Sequence, residues 1–255
     1  MRREVGWPAV LVVVAAVAVT VLSAYLLASW PPEPPPPTAQ TEPGTEASEA
    51  APVEDEGSQQ PGAAGETMMV VLGDAYSAES PESAGPEWPT LLGESLGWEV
   101  RTEAVAGSGY LSSGSGRPFE ARVPRVVQHS PDVIVVAGGV SDLGAYPVGR
   151  IVDAADDVVS RLARQSPDAQ LVVVSPFSNG EPGPLTLQFS ERLRQVAQDH
   201  DAAYVDASGW LVNGTGLFGS EVDQPTDAGQ GRIAARMERA ITERGIASDG
   251  EQTNS

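Results

Sequence analysis

Few side chains in this 255-residue chain can do covalent chemistry. Cysteine is absent, so there is no disulfide and no thiolate nucleophile or ligand. All 15 basic residues are arginine, which removes a lysine nucleophile or base as well. The remaining candidates are serines, two histidines and carboxylates. Ser77 closes the segment Val70-Val71-Leu72-Gly73-Asp74-Ala75-Tyr76-Ser77, with no base beside it in sequence. Asp74, Asp142, Glu221, Asp223 and Asp227 are expected on one rim of the fold. Crowded carboxylates can separate their pKa values for acid–base work or hold a divalent cation. The competing role is structural, and Asp227 before Ala228-Gly229 suits the first turn of a helix.

These residues need a scaffold, and the periodicity supplies one. Met68 to Leu72, Trp98 to Val105, Asp132 to Ala137, Leu171 to Val174 and Ala202 to Val205 read as strands. Between them lie helical stripes. The first runs over Pro89–Leu96, and the second is Phe119/Val123/Val126/Val127. Ile151, Val152, Ala155, Val158, Val159 and Leu162 form the third. Leu185/Phe189/Leu193/Val196 and Ile233/Met237/Ala240/Ile241 form the last two. This alternation predicts an α/β fold: a flavodoxin-like three-layer domain with a five-stranded parallel sheet. Chemistry is then expected beyond the carboxyl ends of the strands. His129 and His200 precede strands, so both are expected on the opposite rim as surface or helix-end residues.

Four loops on the functional rim resemble, in order, the sequence blocks of the SGNH (GDSL-type) hydrolases. Gly73-Asp74-Ala75 stands where that family has Gly-Asp-Ser. Ala104-Val105-Ala106-Gly107-Ser108-Gly109-Tyr110 resembles the second block, with Gly107 at its glycine. Gly138-Gly139-Val140-Ser141-Asp142 is similar to Gly-x-Asn-Asp, with Ser141 at the asparagine. Glu221-Val222-Asp223-Gln224-Pro225 resembles Asp-x-x-His-Pro, with Glu221 at the aspartate and Gln224 at the histidine. The resemblance implies acyl transfer to water: a serine attacks, a histidine takes its proton, a carboxylate orients the histidine, and glycine and asparagine donors hold the oxyanion. Here Ala75, Ser141 and Gln224 replace serine, asparagine and histidine, and only Gly107 keeps its donor. A methyl group cannot attack, and glutamine cannot titrate. The residues matching Asp74 and Asp142 brace loops in the family. A cleft that survives would present Asp74, Tyr76, Gly107, Tyr110, Ser141 and Asp142 to a ligand. Tyr110 reads equally as a core or lid aromatic. No metal or cofactor is expected.

The ends of the chain bear on location. Residues 8–30 are uncharged and mostly Val, Ala and Leu, and at about 1.5 Å per residue they can span a bilayer core. Arg2 and Arg3 precede them, so residues 1–7 are expected in the cytoplasm and the rest outside. A cleaved signal peptide is the alternative, though no small-x-small site ends the stretch. Residues 31–66 hold nine prolines and eight acids with no basic or aromatic residue, and are expected to be a disordered linker. The domain should occupy 67–245, followed by a polar tail at 246–255. The formal charge of −20 argues against nucleic acid. Three functions remain open: an inactive hydrolase-like domain binding an acylated glycan, lipid or envelope partner; an active esterase with rearranged residues; and a structural or interaction module.

Overall fold

The computed structural model describes residues 67–81, 83–219 and 224–246. The expected membrane segment at 8–30, the linker at 31–66, Glu221 and Asp223 lie outside the described residues, as does the tail from 247 on. Among the described residues no helix is long and apolar enough to cross a membrane.

The strands are β1 (Met68–Gly73), β2 (Glu99–Ala104), β3 (Val133–Ala137), β4 (Gln170–Val174) and β5 (Ala203–Val205). All pair in parallel, in the order β2-β1-β3-β4-β5. Among the described residues the five helices are α1 (Trp88–Leu96), α2 (Phe119–Gln128), α3 (Val148–Gln165), α4 (Pro184–Asp199) and α5 (Asp227–Glu243). Each strand lies within a residue or so of its expected bounds. The third strand is buried throughout, as its unbroken Val-Ile-Val-Val-Ala run requires when helices cover both faces.

Alternation along the strands divides the core in two. Met69, Val71, Val133, Val135, Val172 and Val174 face α1 and α5. Val70, Leu72, Ile134, Val136 and Val173 face α2, α3 and α4. A one-residue slip in register would exchange these sets, so the packing pins where each strand ends. Those ends carry the loops of interest. The helix starts have local causes: Pro89 and Pro184 sit in the first turns of α1 and α4, and the Thr226 hydroxyl caps α5 by accepting from the Gly229 N–H at 3.4 Å.

Candidate functional site

Ala75 follows β1, Gly107 follows β2, and Ser141 lies in a short 3-10 turn (Val140–Asp142) after β3. Gln224 stands just before α5. All four therefore belong to one end of the sheet. Polar side chains tie their loops together. Asp74 is 1% exposed. Its Oδ1 accepts from the Tyr76 N–H at 3.0 Å, and its Oδ2 accepts from the Gly139 N–H at 3.1 Å, joining the first loop to the third. Asp142 is fully buried and joins the third loop to the second. It accepts from the N–H of Tyr110 at 2.7 Å, Leu111 at 3.2 Å and Ser112 at 2.7 Å. Gly109 is required here, because a Cβ would collide with the Asp142 carboxylate.

The last loop is bound to the first. Asp227 Oδ1 accepts from the Ser83 hydroxyl at 2.5 Å and from the N–H groups of Ala84 and Gly85. Gln230 Oε1 accepts from the Trp88 N–H at 2.9 Å, and the rings of Tyr76 and Phe218 meet edge-on at 6.0 Å. Asp227 is thus a first-turn helix residue that also anchors a loop, and the Ser83 hydroxyl and Gly85 N–H depress its pKa.

Burial pushes the Asp74 carboxyl up from 3.8 to about 6, against the backbone donors Tyr76, Gly139 and Val140, which favour its anion. Both Asp74 oxygens already accept backbone N–H groups, so the raised value reflects a brace under desolvation. Tyr110 packs between Phe119 and Phe189, with ring centroids at 4.9 and 5.9 Å, and burial pushes its phenol upward. It is a core aromatic. Of the six residues expected to face a ligand, Asp74, Tyr76, Tyr110 and Asp142 are 2% exposed or less. Gly107 and Ser141 retain access to solvent. Among the described residues the N–H groups of Ala75 and Gly107 have no acceptor, which leaves a free backbone donor on each of the loops after β1 and β2.

The serine nearest Ala75 in sequence is committed to the core. Ser77 is fully buried, and its Oγ accepts from the Trp88 Nε1–H at 3.2 Å. His200 ends α4 on the opposite rim, with Nε2 2.8 Å from Asp156, and His129 ends α2 on that same side. Gln224 is 9% exposed, and its Oε1 has no hydrogen-bond partner among the described residues. No group of three acidic or histidine side chains among the described residues is placed to hold a metal.

Two residues absent from the sequence reading hold the site. Arg122 is 3% exposed and donates to the Gly73 carbonyl at 3.1 and 3.2 Å, to the Glu103 carbonyl, and to Ser108 Oγ at 2.8 Å. It fastens the ends of β1 and β2 directly below Asp74 and Gly107, and its burial lowers its pKa to about 10. Gln230 is fully buried and sets the start of α1. Both sit on the apolar stripes of their helices, Arg122 between Phe119 and Val126 and Gln230 three residues before Ile233. A polar residue on a buried stripe was the available signal.

The model of the GDSL-like Lipase/Acylhydrolase family matches residues 71–238. No curated protein matches this chain. Among solved structures, a lipase/acylhydrolase from Enterococcus faecalis is 14% identical with a TM-score of 0.57, covering 70% of this chain and 96% of that one. A family two carbohydrate esterase from Clostridium thermocellum, in complex with cellohexaose, is 17% identical with a TM-score of 0.58, covering 70% of this chain and 64% of that one. An acetyl xylan esterase from the rumen bacterium Butyrivibrio proteoclasticus is 13% identical with a TM-score of 0.54, covering 70% and 64%. At these identities the likeness is one of fold.

Proposed function

Because the chain belongs to the GDSL-like lipase/acylhydrolase family, we propose that it is an inactive member, using the inherited cleft to bind an acylated glycan, lipid or other cell-envelope partner. One observation carries this reading. The nucleophile, oxyanion and base positions hold Ala75, Ser141 and Gln224, while the Asp74 and Asp142 braces around them remain bonded. Loss of the chemistry together with retention of the loop geometry favours binding over turnover. Access to an apolar group has some support too. Tyr146, Leu185 and Leu187, the large apolar side chains exposed among the described residues, lie in the loop after β3 and the first turn of α4, at the same end of the sheet as Ala75. The 8–30 segment would tether the domain outside the membrane, which alkaline extraction of membrane fractions would test.

The activity test uses p-nitrophenyl acetate and butyrate. Wild-type protein should hydrolyse neither above the buffer rate, and Ala75→Ser, Ser141→Asn and Gln224→His together should restore turnover. Wild-type turnover lost in a folded Asp223→Asn variant would instead establish a rearranged active esterase. A folded triple variant without activity would mean that the cleft geometry has diverged along with the side chains.

A further inference from the structure

β5 is an edge strand, and arginines cover it. Arg244 donates to the Ala240 carbonyl at 2.8 Å and the Tyr204 carbonyl at 3.2 Å. The Arg194 guanidinium lies 4.5 Å over the Tyr204 ring. Between this edge and α5 runs a groove of about 590 Å³, with Arg232, Arg236 and Arg239 along one side and the half-buried Trp210 in its lining. The three arginines recur at i, i+4 and i+7, so they share a helix face over roughly 10 Å. None of them has a hydrogen-bond or ion-pair partner among the described residues.

Like charges at these spacings weaken a helix slightly, so local folding does not call for them. Two carboxylates also line the groove, Asp206 and Glu243. Asp206 is already engaged, accepting from Ser208 Oγ at 2.7 Å and facing Arg194 at 3.6 Å. Glu243, one turn after Arg239, is unpaired among the described residues, so the groove presents three uncommitted guanidiniums against one uncommitted carboxylate on a chain of formal charge −20. That overall charge repels any polyanion at long range, so the contacts of the groove itself must select the ligand, and its concave shape and forked donors suit a short single anionic strand rather than a duplex or a bilayer.

We infer that the groove between β5 and α5 binds a carboxylate-bearing glycan, with a sugar ring on Trp210 and its carboxylates on Arg232, Arg236 and Arg239. This site is separate from the loop cluster around Ala75 and stands whether or not that cleft binds an acyl group.

Calorimetric titration of the full-length protein with oligogalacturonate tests it, with a neutral cello-oligosaccharide and inorganic polyphosphate as comparisons. Oligogalacturonate should bind at least about tenfold more tightly than either. Arg232→Gln, Arg236→Gln and Arg239→Gln together should weaken it about tenfold or more. The same charge change on α3, Arg150→Gln with Arg161→Gln and Arg164→Gln, should alter it less than about twofold. Trp210→Phe keeps a ring against Phe177 and should remove the tryptophan fluorescence change on binding. The variant with serine, asparagine and histidine restored at 75, 141 and 224 should bind as wild type. Absence of oligogalacturonate binding overturns the proposal, as does polyphosphate binding equally well or equal weakening by the two triple-arginine variants.

Discussion

Asp142→Asn isolates the bracing argument. The substitution keeps size and shape but replaces one acceptor oxygen with an amide donor. In the native protein, Oδ2 takes the Tyr110 N–H at 2.7 Å while Oδ1 takes those of Leu111 and Ser112. Asparagine can satisfy one side only, and its NH2 group then faces a backbone N–H. Flipping the amide exchanges the problem without solving it. At least one buried donor is left unsatisfied, costing about 1–3 kcal/mol, and a bond to a carboxylate worth about 1.5–3 kcal/mol is weakened. The two overlap, so the expected loss is about 2–4 kcal/mol. For a domain of this size each kcal/mol lowers the melting temperature by about 2–4 °C, which predicts a fall of about 5–15 °C. Thermal unfolding followed by near-ultraviolet circular dichroism reads the shift, and hydrogen exchange at the Tyr110 and Ser112 amides reads its location. Asp227→Asn is the internal comparison. Asp227 also accepts three donors, but it is exposed, so water can replace them and the shift should be much smaller. The reasoning fails if Asp142→Asn melts within about 2 °C of wild type with those amides still protected.

The Asp74 pKa, raised by burial from 3.8 to about 6, means that the folded protein holds this proton more tightly than the unfolded chain. Its contribution to stability is full below about pH 4 and is lost as pH rises through about 6, amounting to about 3 kcal/mol. Urea unfolding at pH 4.5 and 7.5 should therefore show a steeper decline for wild type than for Asp74→Asn, and parallel behaviour would refute the shift. Arg122→Met fills the same space without donors, takes the guanidinium bond from the Glu103 carbonyl, and leaves the Gly73 carbonyl with only the Val105 N–H at 3.3 Å. It should cost about 2–4 kcal/mol in urea unfolding, and a variant as stable as wild type would show that the guanidinium is not holding the strand ends.

The scaffold was legible because its signals are local and repeated. Five apolar runs, each followed by a 3.6-residue stripe, allow little besides a parallel sheet with helices on both faces. The placement of the loops at one end of the sheet was legible because Gly-Asp, Gly107 and the Gly-Gly-x-x-Asp pattern are short and contiguous. Arg122 and Gln230 were not read, although each stands as a polar residue on an apolar stripe. Their partners lie at Gly73 and Glu103 and at Trp88, and no sequence spacing announces those contacts. Tyr110 was ambiguous for a similar reason, since an aromatic beside a glycine turn suits either core or rim until Phe119 and Phe189 close around it.

The sequence by itself determined which reactive atoms stand at the positions the family resemblance marks. No fold can make a nucleophile of Ala75 or a proton acceptor for serine of Gln224, because those limits lie in the atoms of the side chains. The tertiary structure decided what the remaining polar groups do. Burial and distance convert Asp74, Asp142 and Ser77 from possible reactants into bonded supports, while the turn of α5 against β5 gathers three arginines into one groove. Those outcomes depend on which distant backbone donors reach each side chain and on whether water does, and both are properties of the packed chain.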